Sequence, residues 1–167
     1  MLLIHGCKNE KPLDELRLIN YEIEKNDIYL ELEMIVPEDD RFSVFYTEDG
    51  TFNYSGNKMV VKEVKGLNKP QKIVFNFPDN SKPTAIRVDI GQNPKQKTIT
   101  FKKYVFNYYD KKLIIKDSLS YYYGLNSYFT FNTVKNTFVP TTNKENYDPI
   151  LYCKPEFAVK LKEHIYN

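Results

Sequence analysis

The chain holds few residues of the kinds that carry out covalent chemistry. Its two histidines, His5 and His164, stand near opposite ends, as do its two cysteines, Cys7 and Cys153. A Ser-His-Asp triad would have to recruit one of those terminal histidines, and no G-x-S-x-G elbow is present. Cysteines and histidines so widely separated make no metal-ligand cluster. Six glycines in the whole sequence include no phosphate-cradling loop. A Cys7–Cys153 bridge would close nearly the whole chain, worth ~4–5 kcal/mol on the chain-entropy account, but spacing alone gives it no support. Glu31 and Glu33 have about the separation a glycosidase pair needs, ~6–7 Å for residues two apart on a strand. So do many solvent-facing strand pairs. The acidic turns Pro37–Asp40 and Glu48–Gly50 offer oxygen ligands of the kind calcium takes, without the ligand density of a loop built for the ion. The expectation is a protein without cofactor, metal or catalytic activity.

Binding chemistry has more to draw on. The sequence carries 14 Tyr and 11 Phe but no Trp. A flat ring stacks on the apolar face of a pyranose while Asn, Asp and Arg satisfy its hydroxyls. Tyr46, Tyr54, Tyr121, Tyr122 and Tyr123 lie beside turns that could frame a shallow site. For any one of them the alternative is a ring packed in the core with its hydroxyl at the rim.

Charge is near balance, 24 Lys plus Arg against 22 Asp plus Glu, which excludes the overall basicity of a typical nucleic-acid binder. The balance conceals an asymmetry. Residues 14–40 hold ten acidic and two basic side chains, and residues 95–116 hold seven Lys and one Asp. The basic stretch reads either as an anion-gripping patch or as a strand whose lysines face the glutamates of a neighbour. The second is favoured, because the stretch lacks Arg, the residue suited to bidentate phosphate recognition. It places Glu31 and Glu33 opposite Lys102 and Lys103.

These residues must be positioned by strands. Tyr and Phe fit half-buried pleated surfaces, and Ala, the best helix former, occurs only at positions 85 and 158. Residues 28–36 alternate cleanly, with Ile28, Leu30, Leu32, Met34 and Val36 on one face. Further strands are expected at 42–47, 51–54, 58–64, 72–77, 84–90, 97–109, 112–116, 128–132, 137–139 and 150–153. Gly66 and Pro70 bracket an expected loop. Within 97–109 the apolar phase shifts from Ile99 and Phe101 to Tyr104, Phe106 and Tyr108, which implies a β-bulge at Lys102–Lys103. Asp117–Ser118 could cap a helical turn through the tyrosines 121–123, ended by Gly124. Residues 16–24 fit helix or strand. Pro155 opens a short C-terminal helix with Phe157, Leu161 and Ile165 on one face. Strand-sized segments at this spacing predict an all-β, two-sheet antiparallel sandwich over residues 13–167.

The start of the chain, Met1-Leu2-Leu3-Ile4-His5-Gly6-Cys7, then Lys8-Asn9-Glu10-Lys11-Pro12, looks like the end of a bacterial lipoprotein signal with its polar tether. In such signals the cysteine becomes the lipidated first residue, although His5 departs from the usual small or aliphatic residue. Residues 1–12 are accordingly expected to be a signal remnant and tether. Two or three acyl chains on Cys7 would hold the domain at a membrane surface, since one chain grips only marginally.

The stretch from 41 to 108 resembles a jelly-roll-like, galactose-binding-like sandwich module of Bacteroidetes and related bacteria. There it occurs in small lipoproteins and appended to membrane glycosyltransferases. The likeness rests on Arg41-Phe42-Ser43-Val44-Phe45-Tyr46, on Gln71-Lys72-Ile73-Val74-Phe75-Asn76-Phe77-Pro78, on Ile86-Arg87-Val88-Asp89-Ile90-Gly91 and on the strand from Thr98 to Tyr108. It covers about two-fifths of the chain and implies an envelope protein without supplying catalytic residues. Arg87 and Asp89, outward on one strand, are the polar pair most embedded in it, as a structural ion pair or as part of a sugar site.

The function expected is a non-catalytic, lipid-anchored module of the bacterial cell envelope, at the outer membrane or facing the periplasm, that binds carbohydrate. The rival is a scaffold subunit for another envelope protein, and a glycosidase-like enzyme comes third. Mass spectrometry of the native protein checks the anchor. A diacyl or triacyl mass on an N-terminal Cys7 is expected, and an unmodified Cys7 behind an intact Met1 would remove it.

Overall fold

The computed structural model describes residues 25–55 and 58–167. Cys7, the tether and the 16–24 segment therefore lie outside the described residues. Eleven strands are described: β1 (Ile28–Val36), β2 (Asp40–Thr47), β3 (Met59–Val64), β4 (Leu67–Asn76), β5 (Ala85–Asp89), β6 (Ile99–Tyr108), β7 (Lys111–Ile115), β8 (Tyr123–Leu125), β9 (Phe129–Asn132), β10 (Thr137–Pro140) and β11 (Ile150–Cys153). Helix α1 (Leu119–Tyr122) precedes β8, and α2 (Pro155–Leu161) follows β11 and runs on as a π-helical turn over Lys162–Tyr166.

The strands form two antiparallel sheets. One has the order β4-β1-β6-β10-β9 with β7 also paired to β6, and the other has the order β3-β2-β5-β11-β8. The chain crosses repeatedly between them. The molecule is a β-sandwich.

Alternation sets which side chains meet between the sheets. Leu30, Leu32 and Met34 of β1 face Phe42, Val44, Ile86 and Val88 of the other sheet, all buried. Phe75, Phe77, Phe101, Phe106, Phe138 and Phe157 complete the interior. Each buried ring of this kind is worth about 1.5–3 kcal/mol. Edge-on contacts such as Tyr46–Phe77, with ring centroids 5.0 Å apart, fill the space without face-to-face stacking. Phe157, Leu161 and Ile165 all point inward from the C-terminal helical segment, which closes one end of the sandwich.

The bulge in β6 falls where the phase shift put it. Glu33 pairs with Lys103 and the next residue, Met34, pairs with Phe101, which leaves Lys102 as the extra residue. The acidic and basic stretches meet as neighbours. Lys103 Nζ lies 3.2 Å from Glu33, and Lys97 Nζ lies 2.5 Å from Glu38. Glu31 departs from that expectation. It sits between Val74 and Val105, is 4% exposed, and binds Lys25 at 2.5 Å and Lys72 at 3.9 Å.

Three local expectations need correction. Residues 51–54 form no strand, because Asp49 and Thr51 hold the backbone instead. Thr51 N donates to Asp49 Oδ1, and Asn53 N donates to Thr51 Oγ1. Pro70 lies within a strand rather than in a loop, which is tolerated because β4 is an edge strand. Tyr123 and Gly124 belong to β8, not to the helical turn, and the Ser118 side chain makes no cap bond.

The acidic turn after β1 is a structural clamp. Asp40 Oδ1 accepts from the backbone N–H groups of Arg41, Gln92 and Asn93 at 2.8, 2.7 and 3.1 Å. Its Oδ2 accepts from Gln96 Nε2 at 2.9 Å. Gly91, at φ +130°, lies so close that a Cβ there would run into the Asp40 carboxylate. Asp40→Ala and Gly91→Ala are each expected to lower stability by about 2–4 kcal/mol, through stranded buried donors and backbone strain respectively. Urea denaturation checks both; losses below about 1 kcal/mol would show that the clamp is dispensable.

Candidate functional site

Arg87 and Asp89 sit at the centre of the outward face of the β3-β2-β5-β11-β8 sheet. The inward residues of β5 are Ile86 and Val88, so the period of two sends Arg87 and Asp89 outward on the same strand. The Arg87 guanidinium forks onto the Asp89 carboxylate, Nε to Oδ1 and Nη2 to Oδ2, both at 2.7 Å. Its Nη2 also lies 3.8 Å from Asp148 Oδ2. The guanidinium carbon stands 4.8 Å from the ring centroid of Phe45, the cross-strand partner of Arg87 on β2. Asp89 is only 7% exposed. Burial raises its carboxyl above the ordinary value of 3.8, with Arg87 pulling in the opposite direction.

The neighbouring strands extend this face. Ser43 pairs with both Asp89 and Val61, and Ile150 pairs with Asp89 from the other side. Tyr152, between the inward Leu151 and Cys153 of β11, points to the same outward face, with its ring turned toward β8. Tyr152 is 46% exposed. Its ring lies across Gly124, its partner on β8, where a Cβ would collide with Cε2, Cζ and the hydroxyl oxygen. A glycine on the edge strand thus leaves room for the ring to cross it. The loop carrying Asp148 is tied down on both sides: Asn126 Nδ2 donates to the Asp148 carbonyl at 2.6 Å, and Ile90 N donates to that of Pro149 at 3.0 Å.

The tyrosines singled out in the sequence are scattered. Tyr46 is a core ring against Phe77 and presents no platform. Tyr123, 3% exposed, is also interior, because β8 carries it inward beside Cys153; its hydroxyl lies 3.0 Å from that of Tyr104. Tyr54 is partly buried and packs against the core, and its hydroxyl makes no hydrogen bond among the described residues. Tyr122 packs on Phe157. Tyr121, 60% exposed, rests edge-on against Tyr122 and is the one ring of the five that is largely open to solvent. Arg87 and Asp89 are brought together as an ion pair on the outward face that the alternation of residues 84–90 gives them. Phe45 and Tyr152 were missed. Their signal was present: Tyr152 lies between the inward Leu151 and Cys153, and Phe45 between the inward Val44 and Tyr46.

The acidic turns around Asp39 and Glu48 are engaged elsewhere. Asp39 accepts from Lys65 Nζ and Gly66 N, and Glu48 pairs with Lys58 and accepts from Lys82 N. Comparison with protein-family models finds no match, and searches of curated proteins and of solved structures return none either.

The interior hydroxyl and thiol cluster has a consequence for pH. Burial pushes the Cys153 thiol from 9.0 up to about 11, and raises Tyr54, Tyr104 and Tyr123 above their ordinary 10.0. These acids are held neutral by folding, so their contribution is full below the unfolded values and is lost as pH rises through the folded ones. For Cys153 the loss begins near 9.0 and runs to about 11, a change on the order of 2–3 kcal/mol. Denaturation midpoints across the alkaline range should fall steeply, with tyrosinate absorbance from these rings appearing only on unfolding. Tyrosinate rising ahead of unfolding, with a flat midpoint, would contradict this.

Proposed function

We propose that this chain is a non-catalytic module of the bacterial cell envelope, anchored through a lipid on Cys7, that binds carbohydrate on the outward face of the β3-β2-β5-β11-β8 sheet. The observation that carries the reading is the exposed Tyr152 ring, laid over Gly124 on the same outward face of the sheet as the Arg87–Asp89–Asp148 group. A flat exposed ring that shares a face with fixed hydrogen-bonding groups suits a pyranose, with one apolar face and a rim of hydroxyls. Both Asp89 oxygens already accept from Arg87, so the pair is arranged for recognition rather than for proton transfer. Glu31 and Glu33 are likewise engaged by lysines.

One observation favours a second reading, a scaffold that docks another envelope protein. Exposed Met59 and half-buried Phe45, Val61 and Ile150 share the same face and form apolar surroundings for the ion pair.

A glycan array probed with the full chain separates the two. Binding to at least one glycan class is expected, weakened roughly tenfold or more by Tyr152→Ala and by Arg87→Ala, which is about 1.4 kcal/mol. Silence across a broad array would transfer the face to a protein partner.

A further inference from the structure

Resting on that carbohydrate reading, we infer that the site selects neutral glycans and rejects those carrying carboxylate or sulfate. An outward-facing arginine on the same sheet face as an aromatic platform would ordinarily suggest an acidic sugar, because a guanidinium fork matches a carboxylate bidentately. Here the fork is already filled. Nε and Nη2 of Arg87 are both bound to Asp89 at 2.7 Å, and the same Nη2 faces Asp148 at 3.8 Å. One flat face of the guanidinium is turned to Phe45.

The charge around the pair points the same way. Arg87 supplies one positive charge, and Asp89 and Asp148 supply two negative ones. At one end of the face Arg41 is paired with Glu63 at 3.5 Å. Beyond Tyr152, the Lys154 ammonium donates to the Ser120 carbonyl at 2.7 Å. An arriving carboxylate would meet a net negative site in which the Nε–Nη2 edge of the guanidinium is occupied and two carboxylates repel it. To take that edge it would have to displace Asp89, which is largely buried and would then lack its counterion. A hydroxyl meets no such obstacle. It can donate to the remaining lone pairs of Asp89 and Asp148 and accept from the remaining guanidinium N–H groups, while its ring rests on Tyr152.

The test compares matched oligosaccharides on the full chain by titration calorimetry: neutral gluco-, manno-, galacto- and xylo-oligomers against oligogalacturonate and sulfated galactan. Binding of a neutral oligomer, with each acidic counterpart at least tenfold weaker, is the expected result. Tyr152→Ala should abolish the neutral binding. Asp148→Asn, at a half-exposed carboxylate outside the core, should narrow the discrimination several-fold without lowering stability. If an acidic oligomer binds as tightly as the neutral ones and Tyr152→Ala removes it, the selectivity inference is overturned while the carbohydrate reading stands. If no oligomer binds, or binding ignores Tyr152→Ala, the underlying reading fails and takes the inference with it.

Discussion

Every strand of this sandwich must send alternate side chains into one shared interior, and β6 meets that constraint only by accommodating an extra residue at Lys102. Without the bulge, either Ile99 and Phe101 or Tyr104, Phe106 and Tyr108 would face outward. A slip of one residue moves a whole hydrophobic set to the wrong side of the sheet. The consequence reaches beyond one strand, because β6 pairs with β1, β7 and β10 and so fixes the register of most of its sheet. The bulge also brings Lys103 opposite Glu33. The charge asymmetry of the sequence is in this way tied to the same local irregularity that rescues the core.

Buried polar groups pin the parts that alternation leaves loose. The Asp40 carboxylate gathers N–H groups from residues more than fifty positions apart in sequence, joining the β1–β2 turn to the loop after β5. On the outer face of the second sheet, Arg87 and Asp89 neutralise each other over Phe45. A half-satisfied buried charge is strongly destabilising, whereas a paired one is tolerated and fixes geometry. That same saturation gives the face its chemical character. The pair is close to neutral and stands against the Phe45 ring, and the proposed hydroxyl recognition rests on that character.

Much of the architecture was legible because strand periodicity is a local property. The alternation in β1, β2 and β5, the bulge in β6 and the inward stripe of the C-terminal helix all follow from residue spacing. What misled was competition at short range. Residues 51–54 have strand-like composition, but Asp49 and Thr51 capture the backbone first. Pro70 reads as a loop residue until β4 proves to be an edge strand, where a missing N–H does no harm. Three consecutive tyrosines at 121–123 look alike as a string. The exit from helix to strand at Tyr123 sends their rings to different destinations, Tyr123 to the core and Tyr121 to solvent.

The sequence by itself determined the fold class, the interior faces of most strands and the outward placement of Arg87 with Asp89, since each depends on spacing along a single segment. Only the tertiary structure decided which aromatic rings accompany that pair. Tyr152 lies sixty-five positions from Arg87, and its ring has room on that face because a glycine stands on yet another strand. Such a juxtaposition follows from strand order and register between segments distant in the chain, and no local pattern encodes either one.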